Sequence, residues 1–166
     1  MKLRFLKKIA AAAAACVLVF ALASCSSNEP AGGNADVTLD PAALADSLHD
    51  GLTFQDQLTA LEGDAAMGIY SLDNTTVAQL KVYVSTGATA EEIAVIETVG
   101  GDAVQTVQDA MEKRIEDQKA AFQNYQPKEM TKLGDPLLET RGKYVILCLS
   151  DDNDAARAII DEAAGA

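Results

Sequence analysis

Lys143-Tyr144-Val145-Ile146-Leu147-Cys148-Leu149-Ser150 is the stretch whose reading decides the fold. It is apolar at every position from Tyr144 to Leu149. Successive side chains of a strand point to opposite faces, so a strand here must be buried on both. Just before it, Leu137 to Thr140 and Lys143 to Ser150 flank Arg141-Gly142. That spacing predicts a hairpin, with Gly142 supplying the positive φ that such turns need. After it, Asp151-Asp152-Asn153-Asp154 reads as the start of a last helix, with Ala155, Ala156, Ile159, Ile160 and Ala163 on its inner side.

The preceding fifty residues repeat the theme. From Val77, Leu80, Val82 and Val84 alternate with Lys81, Tyr83 and Ser85, the pattern of a half-buried strand. Thr86-Gly87-Ala88-Thr89 is a turn. Glu92 to Val99 is β-branched enough for a second strand, broken by Gly100-Gly101. Asp102 is then expected to cap the longest helix, with Val104, Val107, Met111, Ile115, Phe122 and Tyr125 along one face. On its other face Asp109–Lys113 is spaced for an i,i+4 ion pair worth about 0.3 kcal/mol. Gln126 precedes Pro127 and is pushed out of helical geometry. Ile93-Ala94-Val95-Ile96 and Val145-Ile146-Leu147-Cys148 each lead through a loop to an acid and a helix, at a constant offset of 52, a weak internal echo. The expected fold is α+β, an antiparallel sheet built from two β-β-α units with helices mainly on one face.

Something must then cover the other face. The N-terminal helical segment is the candidate. Asp40 as N-cap, Pro41 at the first helical position, and Leu39 and Leu44 at the staple positions start a helix that Gly51 should end. A strand or turn near Leu52–Phe54 and a short helix near Asp64–Tyr70 are expected after it. Leu44, Leu48, Phe54, Leu58 and Leu61 offer the matching apolar surface.

Upstream the chain reads as an address. Lys2, Arg4, Lys7 and Lys8, with no acid among them, precede an unbroken apolar run from Ile9 to Leu22. That is a secretory signal, shorter than the roughly 20 residues of a spanning helix. Leu22-Ala23-Ser24-Cys25 looks like the lipobox of bacterial lipoproteins, in which the cysteine sulfur takes a diacylglyceryl group and cleavage falls just before it. Each buried methylene is worth ~0.8 kcal/mol, and two chains on one cysteine anchor what one cannot. The segment from Ser26 to Asp36 has no large apolar side chain and reads as a tether spanning ~20 Å. The expected organisation is a signal peptide over 1–24, a lipidated cysteine and tether over 25–38, and one domain over 39–166.

Charge and cysteines narrow the classes. The leader holds four of the 13 basic residues and none of the 25 acidic ones, which leaves the rest of the chain at −16 with histidine neutral. That sign argues against nucleic acid and against a basic patch on anionic lipid. Cys16 leaves with the leader and Cys25 is taken by lipid. Cys148 remains alone in an apolar run, a small buried hydrophobe with no disulfide partner.

The Gly51-Leu52-Thr53-Phe54 stretch, Gly87-Ala88-Thr89-Ala90-Glu91-Glu92-Ile93-Ala94-Val95, and Gly142-Lys143-Tyr144-Val145 followed by Asp151-Asp152 resemble an uncharacterised family, domain of unknown function 4358. Its members are small lipoproteins, largely of clostridia-like Gram-positive bacteria. The resemblance implies a fold and no reaction, ligand or catalytic residue. It also implies a single-membrane cell, with the protein on the outer leaflet of the cytoplasmic membrane.

The catalytic inventory is thin. His49 is the only histidine, and its neighbours Ser47 and Asp50 point to different helix faces, so they form no triad. No metalloprotease, nucleophile-elbow or P-loop motif occurs. Asp151 to Asp154 with Glu162 at position twelve suggests a calcium loop, but Ala155 and Ala156 stand where an oxygen ligand and glycine are needed. Acids at a helix start explain those residues equally. No cofactor or metal is expected. Two functions remain: a non-catalytic binding or accessory module of the cell envelope, with an envelope protein or peptide as partner, and an envelope hydrolase using a carboxylate pair.

Overall fold

The computed structural model describes residues 37–165, so the leader, Cys25 and the expected tether up to Asp36 lie outside the described residues. The two apolar stretches read from sequence form the centre. β3 (Glu92–Thr98) and β5 (Tyr144–Leu149) are buried at every position and pair antiparallel, Ile93 opposite Cys148 and Val95 opposite Ile146. β2 (Val77–Val84) and β4 (Leu137–Arg141) flank them as hairpin partners, and β1 (Thr59–Leu61) adds an edge. The sheet is five-stranded and antiparallel in the order β1-β2-β3-β5-β4. The β4–β5 turn is Gly142-Lys143, with Gly142 at φ +57°, a value only glycine adopts freely.

Each hairpin leads to a helix, α3 (Val104–Tyr125) after β3 and α5 (Asn153–Ala164) after β5. The fold is therefore α+β with two β-β-α units and an N-terminal helix, α1 (Pro41–Gly51). The expectation that both unit helices gather on one face is corrected. Val107, Met111, Ile115 and Phe122 of α3 pack with Ala94, Ile96, Val145 and Leu147. Ala156 and Ile160 of α5 pack on the opposite face, with Ile93, Val95, Ile146 and Cys148. The internal echo fails for the same reason. Its offset aligns Ile93 with Val145, which face opposite layers, and a rotation relating two antiparallel neighbours in one sheet keeps their helices on one side. The units are alike in order only.

With α5 on that face, the N-terminal segment has half a layer to fill. Leu39 just before α1 and Leu44, Ala45 and Leu48 of α1 do so, joined by Leu58 and the partly buried Phe54. Leu61 goes to the other layer, with Ala66 and Tyr70 from α2 (Gly63–Ile69) and its C-cap, and Leu133 from α4 (Met130–Gly134). A buried leucine contributes about 1.5–3 kcal/mol, so α1 alone is a large part of a marginal total.

Local signals held where a side chain meets a backbone donor. Asp40 Oδ1 accepts from the N–H of Ala42 and Ala43 at 2.9 and 3.2 Å, and Asp152 Oδ1 caps α5 through Ala155 at 2.9 Å. Asp102 caps nothing: it sits in a 3₁₀ turn, Gly101–Ala103, ahead of α3. Lys113 pairs with Asp117 at 2.6 Å rather than with Asp109, whose Oδ1 is held by Gln105 at 2.7 Å. Gly51 is the last residue of α1, not a left-handed cap. A Cβ there would lie 2.8 Å from Ile159 Cδ1, so its role is the close approach of α1 to α5.

Two tests follow from this layering. A chain starting near Asn74 loses α1, β1 and α2 and exposes β3 and β5 on one side, so it should bind a hydrophobic dye and melt far earlier than the full domain. A dye-silent, equally stable truncation contradicts the two-layer core. Cys148 is sealed in the α1–α5 layer, and burial pushes its thiol up to about 12. Thiol reagents at neutral pH should therefore label it only as the protein unfolds, and rapid native labelling would overturn the packing.

Candidate functional site

Consecutive residues of a strand face opposite layers, and β3 opens with two adjacent acids at that point. Glu91, just before the strand, and Glu92, its first residue, are each 1% exposed. Buried carboxylates need donors, and each finds a full set in its own direction.

Glu91 receives the backbone N–H of Gln55 at 2.9 and 3.0 Å, that of Asp56 at 2.9 Å, and the Thr89 hydroxyl at 2.9 Å. These bonds explain why Leu52–Phe54 forms no strand: the loop that follows α1 is pinned by a side chain instead of a ladder, and the strand is delayed to Thr59. Asp56 extends the same clasp, accepting from the Thr86 N–H and hydroxyl at 2.8 and 2.5 Å, bonds that hold its carboxyl below the usual range. Lys132 Nζ lies 3.2 Å from Glu91 and 3.2 Å from Glu129, with Asp151 at 3.4 Å. Its side chain is 2% exposed. Burial alone pulls the ammonium down; the charges and hydrogen bonds of Glu91 and Glu129 outweigh that and leave it raised. Glu129 also accepts from the N–H of Ala90 at 3.1 Å.

Glu92 turns to the α3 layer. It accepts from the Tyr70 hydroxyl at 2.5 Å, from Gln118 Nε2 at 2.9 Å, and from Arg114 through Nε at 3.1 Å and Nη2 at 2.7 Å. Burial, then the Glu92 charge, push the Tyr70 phenol well above its ordinary 10. Charge-assisted bonds of this kind fix geometry as well as charge.

A hollow opens beside each cluster. The first, about 290 Å³, lies between α4 and the start of α5 and is lined by Lys132, Asp135 and Ser150 to Asp154. Its acids face separate tasks: Asp151 takes Lys132 and Gln55, Asp152 caps α5, and Asp154 stands in solvent near Arg157. Glu162 is exposed on the outer side of α5. Among the described residues no three His, Cys, Asp or Glu side chains gather to hold a metal ion, so the calcium loop is not assembled. The second hollow, about 320 Å³, lies on the α3 layer between Leu61, Ile69 and Val84 on one side and Arg114, Gln118 and Phe122 on the other.

The residues singled out from sequence fall elsewhere. His49 stacks on Tyr83 with ring centroids 4.5 Å apart and bonds Asp50 at 3.0 Å, while Ser47 donates to the carbonyl of Ala43 at 2.8 Å. No triad forms from these three. Cys25 lies outside the described residues. What sequence reasoning missed is the Glu91–Glu92 pair. Its signal was present: two adjacent acids leading straight into an apolar strand, a place where solvated acids do not belong.

Replacing Lys132 by Met should cost about 3–5 kcal/mol, because Glu91 and Glu129 stay buried without their cation, and urea denaturation measures it. The charge-conserving Lys132→Arg should lose less. Tyr70 and Lys132 both have raised values in the folded state. Their stabilisation is thus complete below the unfolded values of 10.0 and 10.5 and is lost as pH rises past them. The urea midpoint should fall above about pH 10, and less steeply in Tyr70→Phe.

No curated protein and no solved structure matches the chain. A family model does match, over residues 52–150, the span that runs from the Glu91-bound loop through β5 to Ser150. More than half of the sequence is covered, and both buried carboxylate clusters have their acids within it. The chain belongs to the family described as a domain of unknown function, DUF4358.

Proposed function

We propose that this protein is a non-catalytic binding or accessory module of the cell envelope, held to the outer leaflet of the cytoplasmic membrane by lipid on Cys25, with an envelope protein or peptide as its partner. The anchoring half of the reading rests on the basic, apolar and Leu22-Ala23-Ser24-Cys25 sequence of the leader. The binding half rests on one observation: the buried carboxylates beside both hollows have their oxygens engaged by fixed donors. A hydrolase working through a carboxylate pair needs one acid free to donate a proton and another free to accept one or to attack. Glu91 and Glu129 are close together, but Lys132 stands between them and neither reaches solvent. Glu92 is held in both directions by Arg114 and Gln118. Such groups shape a surface and do not exchange protons with a substrate.

Mass spectrometry of the N-terminus should find diacylglyceryl on Cys25, and Cys25→Ala should remove the protein from the membrane fraction. An unmodified terminus at another residue sinks the anchor. For the binding half, purified protein incubated with cell-wall fragments and envelope peptides should leave them intact. Turnover that vanishes in Glu92→Gln or Glu129→Gln would transfer the protein to the hydrolase class.

A further inference from the structure

The hollow on the α3 layer has polar valences that the fold does not use. Arg114 bonds Glu92 through Nε and Nη2, and its Nη1 has no partner among the described residues. Gln118 donates to Glu92 through Nε2, and its Oε1 accepts from nothing among them. Neither atom is among the sealed side-chain polar atoms that lack a hydrogen bond among the described residues. Both residues line the hollow, and the Arg114 side chain is 28% exposed. A donor and an acceptor are thus left unused on two hollow-lining residues four apart on α3.

We propose that this hollow takes a backbone amide and its neighbouring aliphatic side chain from an extended segment of a partner protein. The inference rests on the binding-module reading and names its site. An amide offers a carbonyl to Arg114 Nη1 and an N–H to Gln118 Oε1. Charge points the same way. Arg114 is neutralised by Glu92 and Asp117 by Lys113, so the floor offers no uncompensated charge for a free carboxylate or ammonium. The walls, Leu61, Ile69, Val84 and Phe122, suit a side chain of leucine size. A sugar carries hydroxyls around its ring, and most would meet these walls without a partner. Asp117, Ala121 and Tyr125 recur every four residues, so the 68% exposed Tyr125 continues the same helix face past the mouth of the hollow, a shelf for the next residue of the segment. The strongly acidic chain around the site favours basic flanking residues.

The test uses the full chain in phosphatidylcholine nanodiscs with isotope-labelled methyl groups. N-acetyl-leucine N-methylamide should give saturable shifts confined to Leu61, Ile69 and Val84. Leucine N-methylamide, with a free ammonium, should bind about tenfold more weakly, and N-acetylglucosamine should give none. Ala121 is exposed at the mouth, so Ala121→Arg should fold, as unreactive Cys148 will report, and should abolish the shifts. Absent or non-saturable shifts, or shifts that survive Ala121→Arg, overturn the site. Equal binding of N-acetylglucosamine overturns the peptide assignment. Release of free methylamine from the probe would defeat the non-catalytic reading while leaving the site in place.

Discussion

Two adjacent carboxylates at the head of the central strand are the constraint that the rest of this structure answers to. Burying one ionised acid is expensive, and burying two in succession is tolerable only when each direction supplies its own donors. Glu91 draws in the loop after α1, the β2–β3 turn, and Lys132 from α4. Glu92 draws in Tyr70 after α2 and Arg114 and Gln118 from α3. Five segments are thereby indexed to one point on β3. The apolar core holds the layers together, and the two acids fix where each layer sits.

The far end of the sheet is handled more simply. Glu97 pairs with the half-exposed Lys143 of the hairpin turn, and Glu139 on the edge strand takes Arg141 and Arg157. The acids here are largely covered, but their cations, Lys143 and Arg157 above all, keep access to water. Both hollows described above open at the Glu91–Glu92 end. Several loops converge there around polar groups that cannot pack as tightly as aliphatic side chains.

The parts legible from sequence were those governed by short-range pattern. Alternation gave β2, the six-residue apolar run gave β5, and Asp40-Pro41 gave the start of α1, because each depends on residues within a turn or a strand's length. The demand that residues 39–72 cover a sheet face was also readable, from apolar β5 alone. Which face each helix takes was not. That choice lies in the loops after β3 and β5, where Asp102 and Asp152 look alike in sequence, yet only Asp152 caps a helix. The site was hidden for a related reason. Glu91, Lys132 and Asp56 are distant in sequence and ordinary in type, and only their convergence in space shows that they are buried. Adjacent acids at the head of an apolar strand were the one local sign, and sequence pattern places Glu92 in the strand without showing that it is buried.

The layering also puts the start of the described chain and the α3 hollow on opposite faces of the sheet. The chain enters the fold through Val37 and Leu39, which pack in the α1–α5 layer. The hollow with free amide-matching valences opens on the α3 layer, across the sheet. Among the described residues, the point where the chain enters the fold and the hollow therefore lie on opposite faces of the sheet. Arg114 Nη1 and Gln118 Oε1 make no hydrogen bond among the described residues. Their bonds to Glu92 hold both side chains in place, so a ligand there would meet a donor and an acceptor already ordered. Preorganisation of that kind lowers the entropic cost of binding, which gives the buried Glu92 cluster a use beyond stability.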